Sequence, residues 1–169
     1  DLFGPLGNGF SVRPDSKKLL LVAGGMGLAP LYFLAQQAIK SKHSVILLLG
    51  AAISKPYFYY KKLLPSEIEF VPATDDGSVG YHGMVTDLMP KYTDWADQIF
   101  ACGPMPMYKA MAAMPELKGK SVQVSLEIVM GCGRGICYGC TIKTKKGLKE
   151  VCKDGPVFGM DDIIWEEMK

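Results

Sequence analysis

Apolar residues along the chain alternate between two rhythms. Leu19 to Ala23, entered from Lys18, is a continuous apolar run of the kind that forms a strand buried on both faces. The Gly24-Gly25-Met26-Gly27 break follows at once, and from Pro30 apolar residues recur at helical spacing: Leu31, Leu34, Ala35, Ala38 and Ile39. The pattern then repeats. Strands are expected at Ser44 to Gly50, Glu67 to Ala73, Asp97 to Cys102 and Ser121 to Leu126, with helices at Lys55 to Leu64, Met84 to Tyr92 and Pro104 to Met114. Strands alternating with helices predict an α/β fold built on a doubly wound, parallel, five-stranded sheet.

In such sheets ligands sit beyond the carboxyl ends of the strands. Three segments arrive there. The first is Gly24-Gly25-Met26-Gly27-Leu28-Ala29-Pro30, whose glycines allow a pyrophosphate to approach the backbone at a helix N-terminus. It is not G-x-G-x-x-G, and the same glycines serve a tight strand–helix turn equally well. The second is Thr74-Asp75-Asp76-Gly77-Ser78, with short polar side chains suited to a ribose or an amide. The third is Cys102-Gly103-Pro104-Met105, where a strand ends in a glycine turn and a proline opens a helix. The two histidines, His43 at a helix–strand turn and His82 in a glycine-rich loop, are not expected to be catalytic.

The C-terminal part breaks the rhythm. Residues 131–152 read GCGRGICYGCTIKTKKGLKEVC and hold Cys132, Cys137, Cys140 and Cys152. The spacing C-x4-C-x2-C matches the plant-type [2Fe–2S] pattern, and the fourth cysteine returns after eleven residues. Structural zinc also takes four thiolates, but from two C-x2–4-C knuckles, which a compact triplet plus one distant cysteine does not supply. A disulfide framework suits a secreted chain, and no secretory signal is present. Arg134 inside the loop offsets part of the cluster's negative charge. Lys143 to Glu150 reads as a solvated hairpin that brings Cys152 back: Thr141 to Thr144 alternates as a strand, Lys145-Lys146-Gly147 turns, and Leu148 to Val151 returns.

At 169 residues and 49% hydrophobic content the chain supports one domain with an appendage, here residues 1–126 for nucleotide and 127–169 for the cluster. The net charge of +2 points to no nucleic-acid partner. The longest apolar run, Val45 to Ile53, is strand-sized, so no membrane span is expected.

Together these motifs resemble the ferredoxin–NADP reductase superfamily. GGMGLAP looks like its pyrophosphate loop, TDDGSVGYHGMVTD like its T-(D/E)-D-G-S-x-G-x-x-G segment, and CGPMPM like its C-G-P-x-x-M turn beside the nicotinamide. The segments GPLGNGF and SLEIVMGCGRGICYGC…VCKDGPVF narrow the likeness to the electron-transfer subunit of NAD-linked dihydroorotate dehydrogenase. The resemblance implies that Gly24, Gly25, Gly27 and Pro30 border the pyrophosphate, that Thr74 to Ser78 belong to the nucleotide site, and that Cys102, Gly103, Pro104 and Met105 border the nicotinamide. It implies that the four cysteines of the C-terminal loop hold a [2Fe–2S] cluster, with no catalytic side chain. It also implies an FAD on a β-barrel upstream, a partner catalytic subunit carrying FMN in a heterotetramer, and a cytoplasmic role in pyrimidine biosynthesis. About seventeen residues precede the first strand, too few for that barrel, so the barrel is expected to be lost, removed or encoded upstream of Asp1. The stretch Gly50 to Lys55 has no arginine for a 2′-phosphate, which favours NAD over NADP. Two alternatives share the motifs: the reductase subunit of another flavoprotein complex, of sulfide dehydrogenase or NADP-linked type, and a truncated module that holds cluster and nucleotide without turnover.

Overall fold

The structure is a computed structural model that describes residues 4–168. Strands β1 (Lys18–Gly24), β2 (Ser44–Ala51) and β3 (Glu69–Thr74) run parallel, followed by a two-residue edge strand β4 (Tyr81–His82). The other half of the sheet holds β5 (Gln98–Cys102) and β6 (Val122–Ser125). A hairpin follows, β7 (Thr141–Thr144) and β8 (Gly147–Glu150), and then β9 (Val157–Gly159). The main sheet has the order β4-β3-β2-β1-β5-β6-β9. The five expected parallel strands form its centre. The structure adds β4 at one edge and β9 at the other, antiparallel to β6.

The apolar run of β1 divides between two cores, one per face, as a period-two strand requires. Leu20 and Val22 join one core, and Leu19, Leu21 and Ala23 the other, all fully buried. Each such leucine contributes about 1.5–3 kcal/mol of burial. Helix α1 (Leu28–Lys40) covers the second core through Leu28, Leu31, Leu34, Ala35 and Ala38. It begins two residues before Pro30 because a proline in the first helical turn costs no hydrogen bond. Helix α2 (Lys55–Leu63) follows β2. The first core is closed by α3 (Val85–Leu88) and α4 (Met105–Ala112) through Val85, Leu88, Met107, Tyr108 and Met111.

The helix expected from Met84 to Tyr92 is only the one turn of α3 plus a tighter turn at Met89–Lys91. Pro90 has no amide hydrogen to extend the ladder, and Asp87 accepts the Met84 N–H (3.0 Å) at the start.

The hairpin lies where the sequence puts it, closed by a turn at residues 145–146. Lys143 and Lys145 to Leu148 are exposed, as expected of a solvated hairpin. Ile142 and Thr144 are buried, and its tip is held by the C-terminal segment: Lys145 N–H donates to Asp162 C=O (2.7 Å) and Lys146 pairs with the Asp162 carboxylate (2.9 Å). A single helical turn, α5 (Val151–Asp154), carries Cys152.

Candidate nucleotide cleft and cysteine loop

Strand register alone aligns the candidate residues. Gly24 lies opposite Gly50, Ala23 opposite Cys102, and Ala51 opposite Thr74, so the three motifs meet at the carboxyl end of the sheet. A cleft of about 530 Å³ opens there. Gly24, Gly25, Asp75 and Pro104 line it, together with Gly50 to Ala52, Val85 and Met107. Asp75 is the one charged residue among those lining it.

Gly25 adopts φ +55°, and a side chain there would meet nothing within 4 Å, so the glycine leaves open backbone at the mouth of the cleft. Gly27 does a different job. It is buried, and its Cα face packs on the Cys102 carbonyl and within 2.8 Å of Gly103 N as a Cβ would lie. A Cβ on Gly103 would stand 3.0 Å from Gly24 Cα. These glycines therefore bring the β1 and β5 turns into contact behind the cleft.

The other candidates divide. Thr74 is buried and orders the next loop: its hydroxyl donates to Val79 C=O (2.8 Å) and accepts the Val79 N–H (3.2 Å). Asp76 accepts from both Ser78 N–H (2.9 Å) and Ser78 Oγ (2.6 Å), which holds its carboxyl below the usual carboxylate range. Gly77 takes φ +69° against the His82 ring. These residues shape the loop around Asp75 and do not line the cleft. Pro30 lines a separate apolar groove with Phe10, Phe33 and Leu34, and Met105 is half-buried against the core. Gly50 to Ala52 belong to the stretch that the sequence placed near the 2′ position, whereas sequence reasoning named none of the α4 residues Pro106, Met107 and Ala110 as site residues. The first group follows from the rule that ligands sit at strand ends. The second depends on which face α4 turns inward.

Cys102 stands apart from the other cysteines. It is buried, with its Sγ 3.8 Å from Glu127 Oε1. Desolvation first, and the Glu127 charge second, push its thiol up to about 11.

The other four cysteines share one loop. Cys132 Sγ receives backbone N–H groups from Arg134 (3.3 Å), Ile136 (3.4 Å) and Cys137 (3.5 Å), which draw its thiol down to about 6. Gly135 N–H points at Cys152 Sγ (3.2 Å), a direction its φ of +70° permits, and Cys152 N–H points at Cys140 Sγ (3.4 Å). Burial and the neighbouring Cys140 raise the Cys152 thiol. The contacts thus join Cys132 with Cys137 and Cys140 with Cys152. Among the described residues no three His, Cys, Asp or Glu side chains are grouped to hold a single metal ion. Backbone donors aimed at sulfur stabilise thiolates, so the donor set fits an iron–sulfur cluster.

Comparison with known proteins follows the same division. Residues 21–113 match the oxidoreductase NAD-binding domain family, and residues 127–164 match the iron–sulfur cluster binding domain of dihydroorotate dehydrogenase B. The chain is 37% identical over 172 residues to the dihydroorotate dehydrogenase B (NAD(+)) electron transfer subunit of Desulforamulus reducens, covering 98% of this chain and 66% of the relative. It is 40% identical to that of Bacillus caldolyticus, covering 97% and 65%. The chain thus spans just under two thirds of these relatives' length. Among solved structures, one of an NADH-dependent reduced ferredoxin–NADP oxidoreductase, described for flavin-based electron bifurcation, superposes with a TM-score of 0.83 at 32% identity, covering 99% of this chain and 60% of that one. With its first match spanning more than half of its length, the chain belongs to the oxidoreductase NAD-binding domain family.

Proposed function

We propose that the chain is the nucleotide- and cluster-bearing part of an electron-transfer subunit that delivers electrons from a partner dihydroorotate dehydrogenase to NAD in pyrimidine biosynthesis. Residues 1–126 bind the nucleotide and residues 127–169 hold a [2Fe–2S] cluster. When bound, NAD exchanges a hydride, the cluster passes single electrons, and an FAD on a further domain converts between them. The partner subunit carries FMN, assembles with this subunit as a heterotetramer, and works in the cytoplasm. Among the described residues no helix is long and apolar enough to cross a membrane.

The observation that carries the reading is the cysteine loop, where five backbone amides are directed at three sulfurs of a four-cysteine set. Cys132, Cys137, Cys140 and Cys152 would supply the four thiolates that hold the two irons. At the cleft, Gly24 and Gly25 receive a pyrophosphate, with Gly27 packed behind them and Pro30 in the first turn of the helix. Asp75 faces the ribose within the frame built by Thr74, Asp76, Gly77 and Ser78. Cys102, Gly103, Pro104 and Met105 form the nicotinamide end. A carboxylate as the sole charge lining the cleft repels a 2′-phosphate, which favours NAD. On this assignment the chain binds and orients, and none of its side chains transfers a proton.

Anaerobic reconstitution with iron and sulfide tests it. About two irons per chain are expected, with an electron paramagnetic resonance signal on reduction. Serine at Cys132, Cys137, Cys140 or Cys152 should lower the iron content. Full retention in any of the four removes that ligand. A second reading, the reductase subunit of a different flavoprotein complex, is favoured by the likeness to the bifurcating oxidoreductase. Copurification separates the two, because a partner that oxidises dihydroorotate belongs only to the first.

A further inference from the structure

Tyr108 heads the fully buried side chains by volume among the described residues, with 1% of its surface exposed. Its hydroxyl makes two hydrogen bonds. It accepts the Gly103 N–H at 2.8 Å and donates to the Ser125 C=O at 2.5 Å. Its ring packs on Trp165 of the C-terminal segment, with centroids 5.8 Å apart.

The two backbone partners belong to different sites. Gly103 precedes Pro104, which lines the nucleotide cleft, and packs against Gly24, which lines it too. Ser125 ends β6, and from it the chain departs toward the cysteine loop. The turn at Gly103-Pro104 has a single amide donor, because proline has none. That donor is spent on Tyr108. The hydroxyl is therefore the polar link from this turn to the strand end beneath it, in a place where an unpaired N–H would find no water.

We propose that Tyr108 is a positioning residue: its hydroxyl holds the Gly103-Pro104 turn in the geometry that binds NAD and ties that turn to the strand from which the cysteine loop leaves. The inference rests on the nucleotide-binding reading of the cleft. Removing the hydroxyl leaves Gly103 N–H and Ser125 C=O both unpaired, and they can pair with each other only if the turn moves from its present position onto the end of β6.

The test is calorimetric titration of NAD⁺ at 10 °C into the wild-type chain, Tyr108→Phe and Trp165→Phe, all at equal iron content. Trp165→Phe perturbs the packing around the ring but keeps the hydroxyl, so it reports what lost stability alone does. Tyr108→Phe should weaken binding about tenfold, a loss of about 1.4 kcal/mol, and Trp165→Phe should leave it within twofold. Binding by Tyr108→Phe within twofold of wild type overturns the proposal, as does equal weakening by Trp165→Phe. Should the wild-type chain fail to bind NAD⁺, the nucleotide reading falls and the inference falls with it. Amide exchange of Gly103 in the wild type covers the case in which Tyr108→Phe does not fold. Exchange should be slow and become at least tenfold slower with NAD⁺ bound; an unchanged rate overturns the positioning role.

Discussion

Gly27→Ala isolates one contact that the nucleotide turn depends on. Gly27 has φ −59° and ψ −8°, ordinary right-handed helical values, so alanine meets no backbone strain there and gains helix propensity. The obstacle is steric. The new Cβ would overlap the Cys102 carbonyl and stand 2.8 Å from Gly103 N, where a carbon–nitrogen contact normally needs about 3.4 Å. Both obstructing groups are backbone at the end of β5, which is hydrogen-bonded to β1 on one side and β6 on the other. No side chain can swing away, so the first turn of α1 must move off the sheet. Overpacking of this kind costs about 1–3 kcal/mol, and the rigidity of the neighbours puts it at the upper end. For a chain of this length about 3 kcal/mol lowers Tm by about 6–12 °C. Gly25→Ala is the control. Its Cβ meets nothing, and only the φ of +55° opposes it, at about 1–2 kcal/mol. Urea unfolding at equal iron content measures both, and NAD⁺ titration should show Gly27→Ala binding weakly if at all. If Gly27→Ala unfolds within 1 kcal/mol of wild type, or Gly25→Ala is the more damaging, the close-packed turn is not what holds the cleft together.

Two titratable groups, Cys102 and Asp97, give further outcomes. Cys102 should resist alkylation at pH 8 in the native chain, because its thiol is buried and raised to about 11, and Cys102→Ser should keep full iron; rapid labelling, or iron loss, counts against its placement. Asp97 accepts the N–H groups of Lys17 (2.8 Å) and Lys18 (2.9 Å) at the start of β1, which lowers its folded-state pKa. Its stabilisation is present above the unfolded value of about 4 and is lost as pH falls through the folded value. Asp97→Asn should therefore be less stable than wild type at pH 7, and the gap should close in acid; a gap that stays constant down to pH 2 refutes the carboxylate's role.

The strands were legible because each is a continuous apolar run or alternates cleanly. The hairpin was legible because Lys145-Lys146-Gly147 interrupts two alternating segments. What the sequence hid has a common physical cause. β9 is three residues with no periodicity of its own and exists through pairing with β6. β4 is two residues beside the end of β3. At the cleft, motifs identified the right turns but not which members face the ligand space. Thr74, Asp76 and Ser78 spend their side chains on their own loop, and Gly27 supports the wall from behind. A motif specifies neighbours along the chain, whereas orientation is settled by the packing of separate turns.

The neck of the cysteine loop shows how the candidate cleft and the cysteine loop are held together as one unit. The chain leaves the sheet after Ser125 and returns at Val157, and these two residues pair across β6 and β9. Leu126 N–H donates to Pro156 C=O (2.9 Å), which closes the neck one step further out. The N-terminal segment clamps the same point: Asn8 Nδ2 donates to Asp154 C=O (3.0 Å), just past Cys152. A loop closed at its base has less freedom than one tethered at a single end, so the four cysteines are held relative to the sheet and not merely to one another. The Tyr108 hydroxyl reaches that neck at Ser125, and from the other side it holds the nucleotide turn. The proposed electron transfer needs a fixed separation more than it needs an acid or a base. In this chain the fixing is done by backbone groups of β6, paired on one edge with the cysteine segment's return strand and bonded at its end to the residue that anchors the cleft.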